Sequence, residues 1–178
     1  AVSNGVLAGH PGIHGERAGH KHPGHRSRRD QNEPSLLAAV FALLQLVEEG
    51  RAALDDRVAK HIPEFGTRGK ERCTILHLLS HRGGFPDSAP ETRKALFRIA
   101  RDWDASLAFV CEMQALWEPG TDRGYHPLSA WFIVGELIQR LDGRPLADAL
   151  FARVLEPLGV PRDGFCLGRS QDLVGPPM

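Results

Sequence analysis

Tyr125 is the only tyrosine in the chain, and its phenol is a group that can take part in acid–base chemistry. It follows the Pro119–Gly120 turn and lies just ahead of a strongly apolar run that begins at Ser129. A phenol acts as a general base only when adjacent positive charge lowers its pKa, which is about 10 when unperturbed. One interpretation is that Tyr125 forms half of a catalytic apparatus, with the other half elsewhere in the sequence. The alternative is a tyrosine buried at a helix start, with its hydroxyl bonded to the backbone.

Histidine is the other residue type that could carry chemistry here. His77 and His81 lie four apart, a spacing that can bring two metal ligands to one face of a helix. No glutamate follows His77 and no third ligand is evident, so packing is favoured and no metal site is predicted. Five further histidines in the N-terminal segment could bind a transition metal weakly, but a solvated tail is the favoured interpretation: His10, His14, His20, His22 and His25. No cofactor-binding motif is present, so no cofactor is expected.

Composition limits the classes of partner. The chain has 178 residues and no net charge, which fits one domain and gives no overall field toward nucleic acid or an anionic membrane. The Arg-rich pieces "RSRR" and "TRGKER" are short and interrupted, so no nucleic-acid partner is predicted. The longest apolar run, Leu36–Leu44, is shorter than the roughly 20 residues that span a bilayer. We expect no membrane span; no secretory signal is visible, and the compartment stays open, with the cytoplasm as the default.

Helical periodicity dominates the sequence after Pro34 and predicts a mainly α chain. The first helix, in "SLLAAVFALLQLVEEG", is predicted to begin with Ser35 as its N-cap and to end at Gly50. Only Gln45 is polar between Leu36 and Val47, so this helix is expected at the centre of the domain, with other elements covering it.

Shorter helices follow in "RAALDDRVAKHIPEF", "CTILHLLSHRGGFP", "DASLAFVCEMQALW", "SAWFIVGELIQRLDG" and "LADALFARVLEPLG". Thr74 is the predicted N-cap of the second of these and Asp104 that of the third. Gly83–Gly84 is predicted to end the "CTILHLLSH" helix. A short extended piece is expected at residues 164–167, and no other strand pattern is convincing.

Composition also divides the chain into three parts. Residues 1–34 are rich in histidine, glycine and arginine and are predicted to be disordered or loosely attached, since they cannot bury enough apolar surface to offset their ordering entropy. Residues 35–168 form the predicted helical region, and residues 169–178 a C-terminal tail.

Four segments, in their order and spacing, resemble the serine β-lactamase-like hydrolases: "LLQLVEEGRAALDDRVAKHIPEF", "ILHLLSHRGGFP", "WEPGTDRGYHPLSAWFIVGELIQRLDGRPL" and "VLEPLGV". That family includes class C β-lactamases, D-alanyl-D-alanine carboxypeptidases and related esterases. The resemblance runs from about Leu44 to Gly168. It implies that the chain is the helical portion of an α+β fold, with most of the β-sheet missing.

The resemblance also implies a chemistry. The family uses a Ser-x-x-Lys at the start of its central helix, a Tyr-x-Asn or similar motif, and a later Lys-Thr-Gly or His-x-Gly stretch. By resemblance Tyr125 occupies the general-base position, with His126 beside it. Pro127 lies where the family has asparagine, and the Tyr-His-x-Leu-Ser form looks like the esterase branch. The implied substrate is a small-molecule ester or amide, with a carboxylic ester favoured.

The same resemblance exposes what this sequence lacks. It puts the nucleophile at Glu33 and the lysine at Leu36, and neither side chain can take that role. A shift to Ser35 does not help, because Ala38 lies three residues later. No serine here has lysine three positions on, and no Lys-Thr-Gly occurs.

Two hypotheses follow from the missing motifs. The chain is an esterase-like serine hydrolase of this family, or it is a truncated, non-catalytic helical remnant or interaction module. In either case, apolar surface that would face a sheet is expected to promote self-association.

Overall fold

The computed structural model describes residues 33–162, and within them the fold is helical. The helices are α1 (Glu33–Glu48), α2 (Val58–His61), α3 (Ile75–Leu79), α4 (Pro90–Ile99), α5 (Trp103–Glu112), α6 (Pro127–Asp142) and α7 (Leu146–Leu150), with a 3₁₀ turn at Pro63–Phe65 and a π-helical turn at Phe151–Leu155. Extended pairing in this part of the chain is limited to an isolated antiparallel bridge between Arg57 and Thr74. The mainly α prediction is confirmed. The predicted extended piece at 164–167, the C-terminal tail and all but the last two residues of the N-terminal segment lie outside the described range.

Helix α6 is the element around which the others pack. Its side chains from Ser129 to Ile138 are buried apart from Trp131 and Glu136. Gly135 makes close packing possible, because a Cβ there would lie 2.5 Å from the Trp103 ring and 2.8 Å from Leu146. Trp103 packs on Phe132 at 5.3 Å between ring centroids. Helices α5 and α7 thereby approach the α6 backbone closely.

Helix α1 packs on α6 but is not surrounded. Leu37 and Phe41, four residues apart on one face, are 61% and 59% exposed. The prediction that α1 is covered on all sides is wrong for the described part of the chain, because an unbroken apolar run does not say how many faces have partners. Gln45, the polar residue in that run, donates to the Arg153 carbonyl at 3.2 Å, in the π-helical turn.

Two predicted helix starts need correction. Helix α1 begins at Glu33, so Ser35 lies inside it and is not its N-cap. Proline in the first turn and a carboxylate at the N-terminus both suit this earlier start. Helix α5 is capped by Asp102, which accepts from the Ala105 amide at 2.9 Å, and Asp104 lies in its first turn.

The remaining helix boundaries differ less from expectation. Thr74 caps α3 as predicted, with its side chain accepting from the His77 amide at 3.1 Å. Helix α4 was not predicted, because Leu96 is its only buried side chain and its pattern is otherwise polar. No helix within residues 33–162 is long and apolar enough to cross a membrane.

Lys70 is a fully buried cation that ties a surface loop to the end of α5. Its ammonium donates to the Cys111 carbonyl at 2.9 Å and to the Met113 carbonyl, and it lies 5.3 Å from the Phe65 ring centroid. Burial lowers the pKa of Lys70. The last carbonyls of a helix lack intrahelical partners, so the lysine acts as a C-terminal cap for α5.

We predict that Lys70→Met destabilises the protein by roughly 2 kcal/mol, since two inward carbonyls lose a charged donor while the cost of burying the charge is removed. Urea unfolding followed by circular dichroism measures the change. Lys60→Met is the matched control, because Lys60 is exposed and bonds only Asp56. A Lys70→Met variant as stable as the control would contradict the capping role.

Candidate functional site

Tyr125 lies at the surface, two residues before α6 begins. Its side chain is 62% exposed, so the interpretation as a tyrosine buried at a helix start is wrong. Its ring meets the His81 ring edge-on, with 4.9 Å between centroids. An exposed phenol held against a neighbouring ring is accessible to a reactant from outside.

His126, the residue after Tyr125, is fully buried. Its ring stacks on Phe85 with centroids 4.7 Å apart and meets His81 edge-on at 4.7 Å. Neither ring nitrogen has a hydrogen-bond partner among the described residues. Burial, aided by the nearby His81, lowers the pKa of His126 to about 4. At neutral pH His126 is therefore an uncharged ring in an aromatic stack.

The loop after α3 shapes this site. His81 has a left-handed backbone with φ of 57°, uncommon for a residue with a side chain and frequent at functional positions. Its carbonyl accepts from the Gly124 amide at 3.0 Å, next to Tyr125. Burial lowers the pKa of His81, and Asp87 opposes that shift. Helix α3 ends at Leu79, before Gly83–Gly84, and both His81 and Gly84 in the loop that follows have a left-handed backbone.

A second loop, residues 116–124, pairs with this one. The Gly120 amide donates to the Arg82 carbonyl at 2.9 Å, and the Leu116 amide donates to the Gly84 carbonyl at 2.8 Å. The Arg82 guanidinium donates back to the Gly120 carbonyl. A side chain at Gly84 would place its Cβ 2.5 Å from the Trp117 carbonyl oxygen, so only glycine allows this approach. Two loops distant in sequence therefore carry Tyr125 to His81.

Asp87 is the site residue that sequence reasoning missed. It is fully buried, and its Oδ2 accepts from the amides of Leu128 and Ser129, each at 2.8 Å. These bonds span 41 and 42 residues of sequence, so no local capping pattern predicts them. A loop aspartate just after a Gly-Gly-Phe-Pro run was the only available signal.

His77 and His81 do not form a shared helix face. Helix α3 ends at Leu79, and the left-handed turn at His81 breaks the i, i+4 relation. His77 Nδ1 lies 3.4 Å from the Thr74 amide, which donates to it. Among residues 33–162, no group of three or more histidine, cysteine or acidic side chains is arranged to hold a metal ion.

Position 33 is the first residue of α1. It is also the position at which the resemblance predicts the nucleophile. Leu36, at the lysine position, lies in the first turn.

Comparisons with known proteins agree on one family. A family model described as β-lactamase matches residues 36–174. A protein of Escherichia coli (strain K12) assigned as a D-alanyl-D-alanine carboxypeptidase is 29% identical over 138 residues, covering 73% of this chain and 32% of that protein. This chain spans about a third of the length of the curated relatives it matches.

Solved structures show the same relationship. A penicillin-binding protein homologue from Caulobacter crescentus matches with a TM-score of 0.60 and 38% identity, over 70% of this chain and 33% of that one. A family VIII carboxylesterase matches with a TM-score of 0.62 and 30% identity, over 78% of this chain and 37% of that one.

We predict an acid-sensitive stability that depends on His126. The unfolded chain takes up the His126 proton near pH 6.5, whereas the folded chain does so only near pH 4. The stabilising contribution is present above pH 6.5 and is lost as the pH falls toward 4, by roughly 3 kcal/mol at most. His126→Phe keeps a ring against Phe85 and is expected to flatten this interval in urea unfolding curves.

Asp56 separates this effect from general acid unfolding. Hydrogen bonding from Lys60 lowers the pKa of Asp56 to about 2, so its stabilising contribution is lost below the histidine window. Asp56→Asn should leave the change between pH 6.5 and 4 intact. A His126→Phe variant that keeps the full wild-type loss in that interval would show that another group causes it.

Proposed function

Since a β-lactamase model matches most of its length, the chain belongs to the β-lactamase family, and we propose that it carries the tyrosine half of an ester-hydrolysing site without the nucleophile half. In this proposal Tyr125 takes the general-base position, with His126 as an uncharged neighbour. These 178 residues alone then do not turn over an ester.

The exposure of Tyr125 is the observation that carries this proposal. Its phenol lies at the surface at the start of α6, while the rings behind it are buried or half-buried. A general base must lie within hydrogen-bond reach of the proton that it removes, and an exposed phenol leaves that approach open to a serine hydroxyl. The sequence after Tyr125 looks like the esterase branch of the family and favours a carboxylic ester as substrate, and a family VIII carboxylesterase is among the matched structures.

The chemistry proposed for the family site needs a serine and a cation. A serine hydroxyl is a weak nucleophile until a base removes its proton, and a tyrosine is a strong enough base only beside positive charge. Glu33 and Leu36 supply neither the hydroxyl nor the ammonium. Acyl transfer therefore has no starting point on this chain.

The missing pair also supports a second candidate function, that of a non-catalytic helical module. No serine in the sequence is followed by lysine three residues later. The apolar face of α1 at Leu37 and Phe41 would then be a binding surface, with a second copy of this chain as the occupant to test first.

We predict that the chain hydrolyses nitrophenyl esters no faster than its Tyr125→Phe variant does, and that a fluorophosphonate probe labels no serine. Release of nitrophenolate and mass spectrometry of the labelled protein are the measurements. Turnover that disappears in Tyr125→Phe would show that a nucleophile is present and would overturn this part of the proposal.

Restoring a Ser-x-x-Lys motif tests whether positions 33 and 36 are the nucleophile and lysine positions. The double variant Glu33→Ser with Leu36→Lys is expected to become labelled at position 33, and Tyr125→Phe added to it should abolish the labelling. The matched control is Pro34→Ser with Leu37→Lys, which has the same spacing turned by one residue, or about 100° around the helix. Equal labelling of both double variants would contradict the assignment of Glu33 and Leu36.

We predict concentration-dependent self-association through α1. The double variant Leu37→Glu with Phe41→Lys places an i, i+4 ion pair on that face and should yield a monomer in sedimentation velocity. Phe97→Lys is the control, since Phe97 is 64% exposed but lies on α4. A wild-type chain that sediments as a monomer at all concentrations would contradict this prediction.

A further inference from the structure

The first turn of α6 is satisfied by a residue outside the helix. Pro127 has no N–H, and the amides of Leu128 and Ser129 each donate to Asp87 Oδ2 at 2.8 Å. The Ala130 amide begins the helical ladder by donating to the His126 carbonyl at 2.9 Å. Every amide of this turn therefore has an acceptor. The two amides without a partner in the helix, those of Leu128 and Ser129, share one carboxylate oxygen of Asp87.

His126 holds the N-cap position but does not perform its function. It makes no side-chain cap hydrogen bond, because its ring is turned inward between Phe85 and His81. The Ser129 hydroxyl adds a third donor to Asp87 Oδ2, at 3.3 Å. The carboxylate faces the positive end of the α6 dipole, which favours a negative charge at that point.

Asp87 and the aromatic stack belong to the same short loop. Phe85, two residues before Asp87, stacks on the His126 ring. This loop therefore binds the turn that carries Tyr125 at two points. Phe85 packs on the ring of His126, and Asp87 accepts from the amides at the start of α6. Tyr125 itself contacts His81, which lies at the other end of the same segment.

We propose that Asp87 is the positioning residue of Tyr125, and that its carboxylate fixes the start of α6 so that the exposed phenol is held against the His81 ring. The catalytic meaning of this role rests on the proposed function of Tyr125. The positioning itself does not, because it concerns the place of one ring and needs no turnover to be observed.

The test uses the fact that the chain has one tyrosine. In NMR spectra of the full chain, the Tyr125 ring protons should give a nuclear Overhauser effect to the His81 ring, since the ring centroids are 4.9 Å apart. Asp87→Ala leaves the Leu128 and Ser129 amides without their acceptor and is expected to abolish this signal. Asp87→Asn keeps one acceptor oxygen but loses the charge, and should give an intermediate signal.

Leu150→Ala is the control for general destabilisation. Leu150 is fully buried in α7, which follows α6 in the sequence, and it does not belong to the turn that carries Tyr125. We expect it to lower the melting temperature while the Tyr125–His81 signal stays at the wild-type level. A signal that persists in Asp87→Ala, or that disappears equally in Leu150→Ala, overturns the proposal.

Asp87→Asn decides the case in which Asp87→Ala does not fold. At conditions where Asp87→Asn and Leu150→Ala are equally folded by circular dichroism, the proposal expects a weaker Tyr125–His81 signal in Asp87→Asn alone. Equal signals overturn it. The ester and labelling experiments are independent of this result, so either proposal can fail while the other stands.

Discussion

Helix α6 is buried along most of its length, and the amides at its start must therefore find partners inside the protein. Water cannot reach the Ser129 amide, and an unpaired amide in that place would cost roughly 1–3 kcal/mol. Asp87 meets this requirement from a loop far away in sequence. The loop after α3 has to lie against the start of α6 for this reason, and the loop before α6 pairs with it through backbone bonds. One capping requirement thus brings together the segments that surround Tyr125.

The two histidine rings next to this site add little positive charge to it. Burial disfavours the protonated forms of His126 and His81, so both rings tend toward the neutral state at ordinary pH. Lys70 is bound to the carbonyls at the end of α5, which fixes its ammonium there. In the family's chemistry the tyrosine is tuned by a lysine one helical turn from the nucleophile, at the position of Leu36 here. In the function proposed above, that lysine position is occupied by leucine in this chain.

Periodicity predicted most of the helices, because helix formation follows the spacing of apolar residues along a short stretch. Thr74 was found as a cap for the same reason, since its partner is the His77 amide three residues away. Asp87 was not found, because its partners are more than 40 residues distant and only the folded chain brings them together. The place of the exposed apolar face on α1 was not predicted, because an unbroken apolar run does not say which side of the helix has neighbours. Residue type and spacing predict local structure, whereas contacts between distant loops become visible only in the folded chain.

The residues around Tyr125 differ in why the fold needs them. Asp87 satisfies buried amides, and His126 fills an aromatic stack, so a change at either position disturbs packing or hydrogen bonding whether or not the chain is an enzyme. Tyr125 is 62% exposed, and its ring meets the His81 ring edge-on. This contact does not require a hydroxyl group at position 125. Packing therefore accounts for His126 and Asp87 but not for a phenol at position 125. The exposed tyrosine is the feature that packing explains least, and for that reason the function proposed for this chain is argued from Tyr125.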